Sequence, residues 1–197
     1  MTIYTVGHST NTFEQLLSLL KRHEITAVAD VRSQPYSRLN PQFNKKPFKA
    51  ALKNCGMSYV FLGDQLGARS PDPNCYVNGK IRYELLAKTA SFQSGLERLQ
   101  MGATKFRVAM MCAEKEPLAC HRTILVSRHL HDRGVEVRHI LGTGDIEDHE
   151  FAIGRLLKLL HLPDEDMFRT RAEMVAQAYA MQAERIAYTP DEMTLTA

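Results

Sequence analysis

The chain has little of what would place it in a specialised class at once. Cysteine is scarce: the four residues at positions 55, 75, 112 and 120 are too few and too unevenly spaced for the disulfide framework of a secreted protein, and they read as reduced thiols. No stretch approaches the ~18 consecutive apolar residues of a membrane span, and the opening MTIYTVGHST carries neither a basic segment nor a signal-type apolar run. A cytoplasmic protein of a prokaryotic cell with no membrane partner is the expectation. Excess charge of one sign is also missing. A net charge of +3 and an isoelectric point near 8.7 fall short of the basicity that by itself marks a nucleic-acid binder. There is no internal repeat and no low-complexity segment.

What is present is enough apolar sequence, 44% over 197 residues, for one substantial core. Short β-rich runs alternate with helical ones. Strands are expected at 3–7, 26–31, 58–62, 106–112 and 135–140, and helices at 12–22, 45–55, 81–99 and 122–133. The run Phe106 to Cys112 is largely apolar on both faces, which suits a strand buried inside a parallel sheet. The pattern predicts an α/β fold: a single doubly wound, mostly parallel sheet with helices on both faces. Residues 1–160 form that domain, and residues 161–197 form a C-terminal helical extension. Two helices are expected after Glu147, at 151–161 and 167–188, with Asp164 as the cap of the second and with fraying at the very end. The apolar stripe Met174, Ala178, Met181 and Ile186 is expected to dock either on the body or on a second copy, giving a homodimer. The stretch Gly63 to Gly79 reads as a long loop, a candidate lid carrying Arg69.

In an open parallel sheet, ligands bind beyond the carboxyl ends of the strands. Three strands end there in polar clusters: Gly7-His8-Ser9, Asp30-Val31-Arg32 and Cys112-Ala113-Glu114. The last leads into Cys120-His121-Arg122 at the start of a helix, whose free amides and dipole favour an anion and lower a thiol pKa. A cation at that position opposes the dipole, so Arg122 is expected to face a bound anion or a carboxylate such as Asp30. His8, Asp30, Glu114 and Cys120 are the candidates for proton or thiol chemistry. Gly7, Ser9, Arg32, Arg69, Cys112, His121 and Arg122 are the candidates for holding the ligand. Each has a plainer alternative: Cys112 as a small core residue, Asp30 with Arg32 as a structural ion pair, and Ser9 or Thr10 as a helix cap.

These motifs, in this order, make the chain similar to the bacterial and archaeal family called domain of unknown function 488. The resemblance covers about the first three quarters of the sequence: Val6-Gly7-His8-Ser9, Asp30-Val31-Arg32 with Pro35 and Ser37, Leu66-Gly67, and Cys112-Ala113-Glu114 through Cys120-His121-Arg122. The family's Leu-Gly-Gly-Arg pattern has Ala68 in place of its second glycine. The resemblance implies an α/β fold and a shared polar site, and brings no activity with it.

Function stays open between classes. One reading is an enzyme that binds a nucleotide, a modified base or nucleic acid, with Arg38, Lys45, Lys46 and Lys49 interleaved with Tyr36, Phe43 and Phe48 for phosphate contact and base stacking. A second is a cysteine-dependent, rhodanese-like transferase, although Arg122 lies ten residues after Cys112 and two after Cys120 instead of the five or six of a tight anion loop. A third is metal binding by Cys112, Cys120, His121 and His8, whose types suit zinc or iron but which lack close pairs such as CxxC. A fourth is a ligand sensor without catalysis. The cofactor is left unknown by the sequence. The remaining histidines, 129, 131, 139, 149 and 161, read as surface or packed residues.

Overall fold

The computed structural model of the chain describes residues 1–190. It has the expected α/β architecture. The central sheet has six strands: β1 (Thr2–Gly7), β2 (Ala27–Asp30), β3 (Ser58–Phe61), β6 (Val108–Cys112), β7 (Glu136–Ile140) and β8 (Ile146–Asp148), with β4 (Tyr76–Val77) and β5 (Lys80–Ile81) forming a separate small ribbon. The order is β3-β2-β6-β1-β7-β8. The first five strands are parallel and β8 is an antiparallel edge that the sequence pattern did not announce.

The helices are α1 (Phe13–Arg22), α2 (Lys45–Asn54), α3 (Gly63–Leu66), α4 (Tyr83–Leu86), α5 (Ala90–Ala103), α6 (Arg128–His131), α7 (His149–Leu159) and α8 (Arg171–Ile186). On one face of the sheet α1 and α2 bury Leu16, Leu20, Phe48 and Leu52 against Tyr4, Val6, Val28, Ala109 and Met111. On the other face α5, α6, α7 and α8 cover Ile3, Ala27, Ala29, Val31, Val108 and Met110. Alternate residues of each strand feed opposite cores, which is why β6 reads as apolar throughout.

Several boundaries depart from the sequence reading for local reasons. The segment 81–99 is not one helix: Thr89 accepts from the Phe92 amide and starts α5 afresh after the short α4. The long loop after Gly63 contains α3 and a 3-10 turn at Pro73–Cys75. Neither Ser9 nor Thr10 caps α1; Thr12 does, in a reciprocal capping box with Gln15. Asp164 does not cap the last helix; Thr170 does so with Glu173. Residues 122–127 form a buried π-helical run, Arg122–Ser127, that continues into α6, with Ser127 Oγ donating to the Arg122 carbonyl at 2.7 Å.

The C-terminal helix docks on the body of the same chain, one of the two expected fates of its stripe. Met174, Ala178 and Tyr179 belong to the main core, and Met181 and Ile186 pack against it. Gln182 donates to the Leu118 carbonyl at 2.8 Å, and the Ile81 amide donates to the Tyr188 carbonyl at 3.0 Å. A buried polar chain, Thr5 to His139 (2.8 Å) to His149 (3.0 Å) to the Tyr179 hydroxyl (2.9 Å), ties α8 and α7 to the adjacent strands β1 and β7. The terminal residues expected to fray, 191–197, lie outside the described residues.

Burial makes this chain pH-sensitive. It lowers His139 well below the ordinary 6.5 and His149 to about 3, so both are neutral in the folded protein. Below pH 6.5 the unfolded chain binds more protons than the folded one, and stability falls as the pH drops toward 3. Urea unfolding measured from pH 7 to pH 4 is expected to show this loss, with a shallower slope in His149→Gln, which cannot take up the proton. Equal slopes in parent and variant would remove the buried chain as the cause.

Candidate functional site

The site is built by two adjacent strands. β1 and β6 lie side by side, and their hydrogen bonding continues past the sheet: the His8 amide donates to Cys112 O (2.9 Å) and the Ser9 amide to Ala113 O (2.8 Å). The helices that follow β1 and β2 cover one face while the chain leaving β6 covers the other, which opens a crevice at the carboxyl ends of β2 and β6. Gly7 is required there because a Cβ on it would stand 1.9 Å from the Glu114 carbonyl oxygen. Gly7 thus serves close approach of the Cys112–Glu114 loop, not presentation of amides to a ligand. Ser9 takes a positive φ of 49° and is held by the same ladder.

A cleft of about 310 Å³ opens beyond β2 and β6. Of the residues expected from the sequence, Arg32, Arg69, Cys112, Glu114, Cys120 and His121 line it, whereas Gly7, His8, Ser9, Asp30 and Arg122 do not. Ser33, Gln34, Tyr83, Ile186 and Tyr188 line it as well, none of them a ligand candidate from the sequence. Tyr188 lies just beyond α8, so the C-terminal segment forms part of the wall. Arg69 stacks over its ring at 4.2 Å and donates to Gln34 Oε1 at 3.1 Å.

The floor is a convergence of four side chains. Glu114 Oε2 lies 3.1 Å from both the Cys112 and the Cys120 sulfur. His121 Nδ1 lies 3.7 Å from Cys112 Sγ and 3.9 Å from Cys120 Sγ. The ring is oriented from behind, since Nε2–H donates to the Val31 carbonyl at 3.0 Å and turns Nδ1 to the sulfurs. A 3-10 turn, Pro117–Ala119, folds the chain back so that Cys120 returns to Cys112. The Cys112 thiol is pushed well up by its hydrogen bond with Cys120 and by burial. Burial pushes Cys120 the same way, but the Cys112 bond, the Arg122 charge and His121 outweigh it and hold Cys120 well below the usual thiol range. Glu114 is raised, first by desolvation and then by the Cys120 charge.

Two cations that the sequence reading assigned to a ligand, Arg122 and in large part Arg32, are structural. Arg122 is wholly buried and faces neither Asp30 nor the cleft; its Nη1 donates to Glu114 O at 2.6 Å and its Nη2 to Lys115 O at 3.2 Å. The amides expected to receive an anion point inward too: Arg122 N–H faces Cys120 Sγ at 3.5 Å, and those of Thr123 and Ile124 donate to Cys120 O. Asp30 is fully buried and grips Arg32 in a bidentate pair, Nε to Oδ1 at 2.9 Å and Nη2 to Oδ2 at 2.7 Å, while Tyr59 OH donates to Oδ2 at 2.8 Å. Arg32 also donates to the Phe43 carbonyl and to His8 Nε2. His8 gives its Nδ1–H to Ser9 O and is lowered to about 4, chiefly by burial, so it holds Arg32 as a neutral acceptor. Phe43 and Phe48 are core residues, which removes them as stacking platforms for bases; Tyr36 stays exposed at the cleft.

A family profile, Domain of unknown function DUF488, matches residues 12–129. The chain belongs to this family. The matched DUF488 region starts after Gly7-His8-Ser9 and contains Asp30, Arg32, Arg69 and the whole of Cys112 to Arg122, hence all four floor residues of the cleft. The C-terminal helix that closes one wall lies outside it. No curated protein and no solved structure matches the chain. No helix among the described residues is long and apolar enough to cross a membrane.

Removing one partner of a buried ion pair strands the other. Asp30→Asn is expected to cost roughly 3 to 5 kcal/mol by leaving Arg32 uncompensated. Gly7→Ala is expected to cost about 1 to 3 kcal/mol through overpacking against Glu114. Both are read from denaturant midpoints, and a loss under about 0.5 kcal/mol in either variant would contradict the structural role of that residue.

Proposed function

We propose that the protein is a cytoplasmic enzyme that binds a small anionic molecule, of nucleotide or modified-base size, in the cleft at the carboxyl edge of the sheet. The observation that carries this reading is the joint placement of a reactive floor, Cys112, Glu114, Cys120 and His121, and a cationic rim, Arg32 and Arg69, in one cleft of about 310 Å³. That volume is at the lower end of small-molecule sites, roughly 300 to 1,000 Å³. Arg69 is the principal anion contact, because Arg32 spends most of its donors on Asp30, Phe43 and His8. The tyrosines 36, 83 and 188 offer aromatic surface to a planar ring.

The low thiol pKa of Cys120 favours a second reading, a cysteine-dependent transferase. Against it stands the orientation of Arg122, which is turned to backbone carbonyls and so does not cradle an anion around the sulfur.

Calorimetric titration with nucleoside monophosphates, the parent nucleosides and inorganic phosphate tests the anionic reading. A monophosphate is expected to bind, and Arg69→Ala to weaken it about tenfold or more through loss of a charge-assisted hydrogen bond. Lys105→Ala, on the exposed turn after α5 and outside the cleft, is the control and leaves affinity unchanged. Equal affinities for parent and Arg69→Ala would remove the anion assignment.

A further inference from the structure

We propose that Cys112, Cys120 and His121 bind a zinc ion at the floor of the cleft, with its fourth coordination position turned toward Glu114 and the open space. Three independent observations carry this. The first is distance. Zn–S bonds of about 2.3 Å and Zn–N bonds of about 2.0 to 2.1 Å in a tetrahedron put sulfur and nitrogen about 3.6 Å apart. The two observed S···N separations are 3.7 and 3.9 Å, and the three donor atoms lie within 4.8 Å of one another. The second is orientation. His121 turns its Nδ1 into the cluster because Nε2–H is fixed on the Val31 carbonyl, the outer hydrogen bond that metal-bound imidazoles typically make.

The third is charge. Both sulfurs lie 3.1 Å from one oxygen of the Glu114 carboxylate, so three groups able to carry negative charge meet at one point. The nearby arginines are committed elsewhere: Arg122 is turned to the Glu114 and Lys115 carbonyls, and Arg32 is paired with Asp30. A dication placed between the sulfurs and the imidazole resolves that convergence. The Arg122 amide facing Cys120 Sγ at 3.5 Å suits a metal-bound thiolate.

The donor set selects the metal. Two thiolates with one imidazole suit zinc, whereas hard cations such as magnesium take oxygen ligands. Three protein ligands with one position open to a cleft is the pattern of a catalytic rather than a structural site. Glu114, beside the open position and reachable from the cleft, is placed to exchange a proton with a molecule bound there. His8 is not a ligand, since both its ring nitrogens are engaged by Ser9 and Arg32.

The inference rests on the cleft as the place of action but not on the charge of its ligand, and its test uses metal alone. Full-length protein purified without chelator is expected to hold about one zinc per chain by elemental analysis. After reduction and metal removal, one equivalent of cobalt(II) should give an intense thiolate-to-cobalt charge-transfer band together with the visible bands of a tetrahedral ion. Cys120→Ser and His121→Ala are expected to lower metal affinity at least tenfold, and Cys55→Ser to leave it unchanged. Because Cys112 is packed in the core, the cobalt spectrum of the unaltered protein, not Cys112→Ser, carries the decision. No charge-transfer band, or a band that survives in both Cys120→Ser and His121→Ala, overturns the site. Metal uptake without monophosphate binding would leave the zinc site standing and remove the anionic reading; the reverse result would do the opposite.

Discussion

The backbone contact between Gly7 and Glu114 sets the geometry on which the rest of the site depends. Because Gly7 has no Cβ, the Glu114 carbonyl can lie where that atom would be, and the ladder of β1 on β6 runs two residues beyond the sheet. This pins Cys112, Ala113 and Glu114 in a fixed direction at the crevice. Arg122 then reaches back from the π-helical run to hold the same carbonyl and the next one. One guanidinium thus ties down two successive loop carbonyls and fixes the return path of Cys120 and His121.

A second framework stands beside the first. Asp30 and Arg32 form a buried pair, and neutral His8, the Tyr59 hydroxyl and the Phe43 carbonyl complete its hydrogen bonding. A fully satisfied network of this kind rigidifies its surroundings, and its place at the end of β2 also fixes Val31, whose carbonyl aims His121. The polar residues that looked most reactive along the chain therefore divide into two sets. His8, Asp30, Arg32 and Arg122 mainly build, whereas Cys112, Glu114, Cys120, His121 and Arg69 face the space where a ligand fits.

Much of this was legible in the sequence. Alternation of apolar runs pointed to the parallel sheet, since a strand apolar on both faces has few other homes, and the rule of carboxyl ends brought the right loops to one edge. Less legible was which side chains look inward. Arg122 at a helix start suggests an anion when only local preferences are weighed, but its partners are carbonyls of a loop whose path has no periodic signal. The same holds for Cys112 and Cys120: eight residues apart, they lack a recognisable metal-ligand spacing because a 3-10 turn, not a tight knuckle, brings them together. Phe43 and Phe48 alternate with lysines as stacking residues would, yet that alternation is the buried and exposed faces of one amphipathic segment. The contribution of Tyr188 depends on where α8 docks, and no local pattern encodes that.

The central claim is that two sulfurs and one imidazole form a single coordination sphere at the floor of the cleft. X-ray absorption at the zinc edge of the metal-loaded protein reads that sphere directly. The account predicts two sulfur scatterers at about 2.3 Å and two nitrogen or oxygen scatterers at about 2.0 to 2.1 Å, with the outer-shell signature of one imidazole. A shell of nitrogen and oxygen alone would contradict it.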